Sequence, residues 1–257
     1  MTRLLQMERI LKTAESFING GADMTQRRQE ISDNIKAVRE RIAQAAEKAG
    51  KRPEDITLVG VTKNFGVEDM QAALDSGIEI VGENRVQELL DKYDRVRPQQ
   101  WHMIGHLQTN KVKYIVGKVS LIQSVDSVHL LEEIEHQAEK KNVIADILLQ
   151  VNTSGEQTKF GASVDEIWGL IEKVQTLSHI RVRGLMTIAP LYVSGVSNRL
   201  HFCNTQKLYI DIKEKKYDNI SMDYLSMGMS GDFCEAILCG SNMVRVGSAI
   251  FGKRNYT

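Results

Sequence analysis

Proline is nearly missing: the chain has three in 257 residues. So little proline leaves small scope for extended linkers, and most of the chain is expected to be regular structure. Cysteine is equally scarce. Cys203, Cys234 and Cys239 lack metal-ligand spacing. An odd count without a secretory leader suits a reducing cytoplasm better than a disulfide framework. Net charge is also lacking, because 33 Lys plus Arg balance 33 Asp plus Glu. Bulk electrostatics therefore give no pull toward nucleic acid or an anionic membrane. No apolar run approaches the roughly 18 residues that a bilayer span needs.

What remains is a chain long enough for one large α/β domain with a substantial core. Its first 23 residues stand apart. Leu4, Leu5, Ile10 and Leu11 suit one face of a short helix, which Gly20-Gly21 would end. This stretch carries acidic residues and no continuous apolar core, unlike a targeting peptide. Residues 1–23 read as an extension, flexible or a short helix, and 24–257 as the domain. From Thr25 to about Lys51, Ile31, Ile35, Val38, Ile42 and Ala45 recur at helical steps, and Gly50 supplies a stop. Then the pattern alternates. Short β-rich runs fall at 56–62, 78–81, 100–104, 120–124, 144–151, 180–185, 222–225 and 242–246. Helical stretches separate them near 67–76, 84–96, 108–117, 127–141, 164–177, 198–214 and 232–239. Eight buried strands alternating with helices predict a parallel sheet, and eight is the number that closes a (β/α)₈ barrel. No Gly-rich dinucleotide fingerprint follows the first strand, which disfavours a Rossmann fold.

Active sites of such barrels lie at the C-terminal ends of the strands. Lys63 follows the first strand. A lysine whose stem points into the mouth loses proton affinity by desolvation and becomes a usable amine; the plain alternative is a surface lysine in a salt bridge. After the seventh strand comes Ser226-Met227-Gly228-Met229-Ser230-Gly231-Asp232, leading into a helix with Ser230 or Asp232 as a candidate N-cap. Arg245-Val246-Gly247-Ser248 ends the eighth. Glycines and free N–H groups there suit a phosphate dianion; an ordinary capped loop is the competing reading. A phosphate site opposite a strand-one lysine suggests a cofactor tethered at both ends, a description that pyridoxal 5′-phosphate (PLP) fits. Arg245 is a candidate partner of the pyridine nitrogen, where an Arg keeps that nitrogen unprotonated and weakens the electron sink. Asn84 is a candidate for a ring substituent or for a helix cap. His102 and His106 read more readily as structural histidines than as acid–base groups, and their spacing around Gly105 disfavours a metal pair.

These residues carry a resemblance. Val61-Thr62-Lys63, Gly82-Glu83-Asn84 with Val86-Gln87-Glu88, and Trp101-His102-Met103-Ile104-Gly105 with Leu107-Gln108-Thr109-Asn110-Lys111 belong to it. So do Val151-Asn152 with Lys159-Phe160-Gly161, Arg183-Gly184-Leu185-Met186, the run from Leu225 to Asp232, and the run from Val244 to Gly252. In this order they resemble the pyridoxal phosphate homeostasis proteins, from about Met24 to Tyr256. The resemblance implies a barrel like the N-terminal domain of alanine racemase. It implies a Schiff base on Lys63, Ser230 with the Gly247-Ser248 backbone at the phosphate, and Arg245 at the pyridine nitrogen. Ser226 and Met227 would line the same site. One departure is local: members commonly carry a proline soon after the lysine, where this chain has Asn64-Phe65-Gly66.

Three functions compete. The first is a non-catalytic carrier that buffers PLP in the cytoplasm, as a monomer, and hands it to apo PLP-dependent enzymes. The second is a small PLP-dependent amino-acid racemase or lyase with Lys63 as its only base. Two-base racemisation needs a further acid–base group on the other cofactor face, and the sequence after the last strand is too short to build the domain that supplies it in racemases. The third is a barrel that binds another phosphorylated metabolite without a covalent bond.

Overall fold

In the computed structural model, the elements of residues 2–153, 160–190 and 197–252 are described, with side chains from Met24 onward. Lys159, part of the fifth-strand motif, and the side chains of the first 23 residues lie outside that set.

The chain opens with one helix, α1 (Thr2–Lys48). It passes through Gly20-Gly21, where the sequence predicts a stop. A glycine within a helix costs only about 1 kcal/mol, which flanking helix formers can offset. The predicted apolar stripe is the buried one: Ile31, Ile35, Val38, Ile42 and Ala45 all face the core.

Eight parallel strands follow: β1 (Thr57–Val61), β2 (Ile80–Glu83), β3 (Gln100–Met103), β4 (Leu121–Val125), β5 (Ala145–Gln150), β6 (Ile180–Met186), β7 (Ile220–Ser226) and β8 (Met243–Val246). The helices between them are α2 (Val67–Asp75), α3 (Val86–Tyr93), α4 (Thr109–Ile115), α5 (Val128–Lys141), α6 (Val164–Val174), α7 (Arg199–Lys213) and α8 (Phe233–Leu238). The strands pair in chain order, and β8 closes on β1 with Val59 opposite Arg245. The predicted barrel is therefore the observed fold. Strands β8, β1, β2 and β3 pair in unbroken register, whereas register shifts interrupt β4–β5, β5–β6 and β6–β7.

Among the described residues, β8 is followed by the short α9 (Ser248–Phe251). A ring of eight helices would have a gap there, and α1 packs over it against α2, α8 and α9. Asn34 Nδ2 donates to the Ile250 carbonyl at 2.9 Å, and Arg27 to that of Phe251 at 2.8 Å. Arg27 also holds Asp69 of α2 through two bonds of 3.0 and 3.1 Å. Apolar side chains fill the layer between strands and helices. Inside the barrel, Val59, Leu121, Leu148, Met186 and Met243 form a plug. Side chains alternate across a strand, so the next inward positions toward the C-terminal end include Gln123, Gln150, Ser226 and Arg245, which are buried and polar, beside Val61 and Gly82 on β1 and β2. The interior thus changes from apolar to polar on the way to the mouth.

Candidate functional site

The polar layer is one connected chain. Arg245 Nη1 donates to Ser226 Oγ at 2.6 Å, and its Nη2 to the Thr187 carbonyl at 2.8 Å. Ser226 Oγ donates to Gln123 Oε1 at 2.7 Å, and Gln123 Nε2 lies 2.9 Å from His102 Nδ1. The other ring nitrogen of His102 is 3.2 Å from Gln100 Oε1. His102 is only 1 % exposed. Burial pushes its imidazole down to about 3, so it stays neutral. With glutamine side chains at both nitrogens it is a structural group. Arg245 is 3 % exposed. Desolvation lowers its guanidinium to about 10, against a smaller opposing pull from Asp232, and it remains charged at neutral pH. A buried cation whose direct partners are neutral oxygens gives this end of the barrel a positive floor.

Above the floor, the loops after β7 and β8 meet. Gly247 N–H and Ala249 N–H both donate to Ser230 Oγ, at 3.2 and 3.1 Å. Two backbone donors converging on one oxygen position mark where an anionic oxygen can sit. Asp232 stands at the N-cap of α8, but its carboxylate caps no helix N–H. It accepts instead from Met229 N–H at 2.6 Å and from Asn198 Nδ2 at 2.9 Å, bracing the loop from outside. Gly228 has φ +95°, and a Cβ there would meet Ala236 Cβ at 2.6 Å and Phe233 Cα at 2.8 Å. Ser248 is exposed on the first turn of α9. Met227 points the other way: its side chain is fully buried in the strand–helix layer. Alternation explains this, since Ser226 faces inward and the next residue faces out.

Lys63 is half-buried just beyond β1. The sequence reading puts the phosphate loops opposite this lysine. Closure makes β8 the neighbour of β1, and a Cβ on Gly247 would lie 3.2 Å from the Val61 carbonyl oxygen. The backbone that carries Lys63 and the anion cradle are thus adjacent on the rim. Phe65 N–H donates to the Thr62 carbonyl at 3.1 Å, so Lys63 sits in a tight turn whose third residue, Asn64, has φ +64°. Phe65 stacks on Phe251 with ring centroids 4.8 Å apart. Asn84, half-buried past the end of β2, backs so closely onto Gly105 that a Cβ there would touch its carbonyl oxygen at 2.4 Å.

Sequence reasoning missed the roles of three residues. Gln123 and Thr187 join the floor, and a glutamine at an inward position of the apolar run 120–124 was the available signal. Glu83, quoted only as part of a motif, is fully buried and outward-facing, bonded to Thr62 Oγ1 and Lys92 Nζ. Its carboxyl is pushed up by burial and pulled down by Lys92 and Thr62.

In sum of chemistry, the rim pairs a primary amine with an oxyanion cradle above a cationic floor. That set fits a ligand with an electrophilic carbonyl and a phosphate tail.

Comparison with known proteins agrees. The family model described as alanine racemase, N-terminal domain, matches residues 34–255. A pyridoxal phosphate homeostasis protein of Aquifex aeolicus is 40 % identical over 226 residues, covering 87 % of this chain and 98 % of that one. This chain belongs to the pyridoxal phosphate homeostasis protein family. The Escherichia coli member is 34 % identical over 233 residues, with 89 % and 98 % covered. Among solved structures of the family, PipY of Synechococcus elongatus, determined with PLP bound, superposes with a TM-score of 0.75 at 27 % identity, covering 86 % of this chain and all of that one. Alanine racemase from Corynebacterium glutamicum shares the fold, with a TM-score of 0.66 at 12 % identity, and 61 % of its length is covered.

Proposed function

We propose that this protein holds PLP as a Schiff base on Lys63 and acts in PLP homeostasis as a carrier without robust catalysis. The observation that carries the reading is the pair of N–H groups, from Gly247 and Ala249, aimed at one oxygen position beside the lysine turn. There a phosphate oxygen would replace the Ser230 hydroxyl as acceptor, and that hydroxyl would become a third donor. Lys63 would supply the amine that holds the cofactor through its aldehyde group. Bound PLP supplies a conjugated ring able to withdraw electrons; Arg245 at the pyridine nitrogen would keep that nitrogen unprotonated and blunt the withdrawal. Ser226 holds the Arg245 guanidinium in place, and Asn84 would contact a ring substituent. His102, neutral and bonded at both nitrogens, is a poor proton donor for racemisation. On this reading the chain is a cytoplasmic monomer and its partners are apo-enzymes that use the same cofactor. The names of the relatives matched over nearly their full length support the same role.

The test is absorbance with added PLP, followed by borohydride reduction, mass mapping and an amino-acid turnover assay. A reduced adduct on Lys63 with no turnover is expected. Absence of the adduct overturns the binding reading. Turnover that disappears in Lys63→Ala overturns the carrier reading in favour of a racemase.

A further inference from the structure

The turn that carries Lys63 is gripped on both sides by a buried charged cluster. Lys92 Nζ, on α3, donates to the Thr62 carbonyl at 2.8 Å, to Glu83 Oε1 at 2.8 Å and to Glu88 Oε1 at 2.7 Å. Thr62 Oγ1 donates to Glu83 Oε1 at 2.6 Å. On the far side of the lysine, Asn64 N–H donates to Glu88 Oε1. Thr62, just before Lys63, is thus fastened to Lys92 and Glu83, and Asn64, just after it, to Glu88, all within one connected cluster.

This cluster is an expensive way to stabilise a fold. Glu83 is fully buried, and its second carboxylate oxygen, Oε2, has no hydrogen-bond partner. Buried ion pairs commonly give no net stability over apolar residues of similar size, and an unpartnered buried oxygen adds cost. The turn contains one residue in the left-handed region, Asn64, which asparagine tolerates better than most non-glycine residues. Glu88 holds the N–H of that residue.

We propose that Glu83, Lys92 and Glu88 are positioning residues for Lys63, fixing the Thr62–Phe65 turn so that the amine is pre-set toward the anion cradle before any ligand arrives. None of the three needs to touch the cofactor. Their effect is to remove conformations in which the lysine stem points elsewhere, which raises affinity by lowering the ordering cost of binding.

The inference rests on Lys63 being the attachment point, and its test separates the two ideas. Three variants are compared with the intact protein: Thr62→Val, which keeps shape and loses the hydroxyl, Thr62→Ser, which keeps the hydroxyl, and the double variant Glu83→Gln/Lys92→Met. PLP affinity is read from absorbance. In the ligand-free protein, the acylation rate of Lys63 is read by mass mapping against exposed Lys36. Thermal unfolding reports the fold. Thr62→Val and the double variant should weaken PLP binding about tenfold and raise Lys63 acylation. Thr62→Ser should restore both, and the double variant should keep its thermal midpoint or raise it. If the wild type itself forms no adduct on Lys63, the proposed function fails. If it does, and Thr62→Val matches it in both affinity and acylation, the positioning proposal is overturned. It is equally overturned if Thr62→Ser does not recover them. A double variant that loses midpoint in step with affinity also overturns it, as a structural role; if that variant does not fold, the Thr62 pair decides alone.

Discussion

The two halves of the rim are built on different principles. The amine side, after β1, is braced by buried charge: Lys92 against Glu83 and Glu88. The anion side, after β7 and β8, is made of backbone N–H groups and a serine hydroxyl, with Asp232 behind them. The amine side has its geometry imposed in advance. The anion side keeps its donors occupied by Ser230 Oγ, which can yield to a phosphate oxygen at small cost. If the proposed function holds, the side that forms a covalent bond gains from being pre-set, and the side that lets a dianion come and go gains from an exchangeable partner.

Four changes would break or sharpen this contrast. Lys63→Ala should abolish the borohydride-trapped adduct outright while leaving phosphate-tail binding measurable by equilibrium dialysis. Loss of both would mean that the two sides are not separable. Gly228→Ala should destabilise the fold by roughly 3 kcal/mol in denaturant, because φ +95° and the Ala236 contact both oppose a Cβ. An unchanged midpoint would show that the loop relaxes freely. His102 tests whether the floor beneath both sides is passive. Its folded pKa of about 3 lies below the ordinary 6.5. Above pH 6.5 both states are neutral and it has no effect. As the pH falls below 6.5 the unfolded chain takes up the proton first and stability is lost, by about 2 kcal/mol between pH 6.5 and 5. Unfolding curves of His102→Gln should lack that share of the decline. Ser230→Ala is the mildest: about a tenfold loss of affinity for PLP and little for pyridoxal, which has no phosphate. Equal losses for both would remove Ser230 from the cradle.

The barrel was legible because parallel strands buried on both faces read as short apolar runs; 121–125 and 145–150 fall within a residue or so of the predicted spans. The continuity of α1 through Gly20-Gly21 was not, since glycine weakens a helix without forbidding it. Lys63, Ser230, Arg245 and Gly247 could be singled out from the sequence because each follows or ends a strand at the rim, and the structure brings those strand ends together. The Glu83–Lys92 pair was not, because it joins a strand end to a helix across the outer layer. A charge at a strand end reads by default as solvated rim. Gly82 facing inward was the only hint that Glu83 must face the helices. Met227 shows the reverse error: membership in a motif does not say which way a side chain points.

Phe251 stacks on the residue two places after Lys63, and α1 is stitched to α9 through partners 216 and 224 residues away. During synthesis, then, the lysine turn stays unfinished until the last strand and the helix after it have been made. Contacts this remote in sequence form late. On the proposed reading, a growing chain would have no organised grip on a reactive aldehyde, and the ability to capture one would arrive together with completion of the ring.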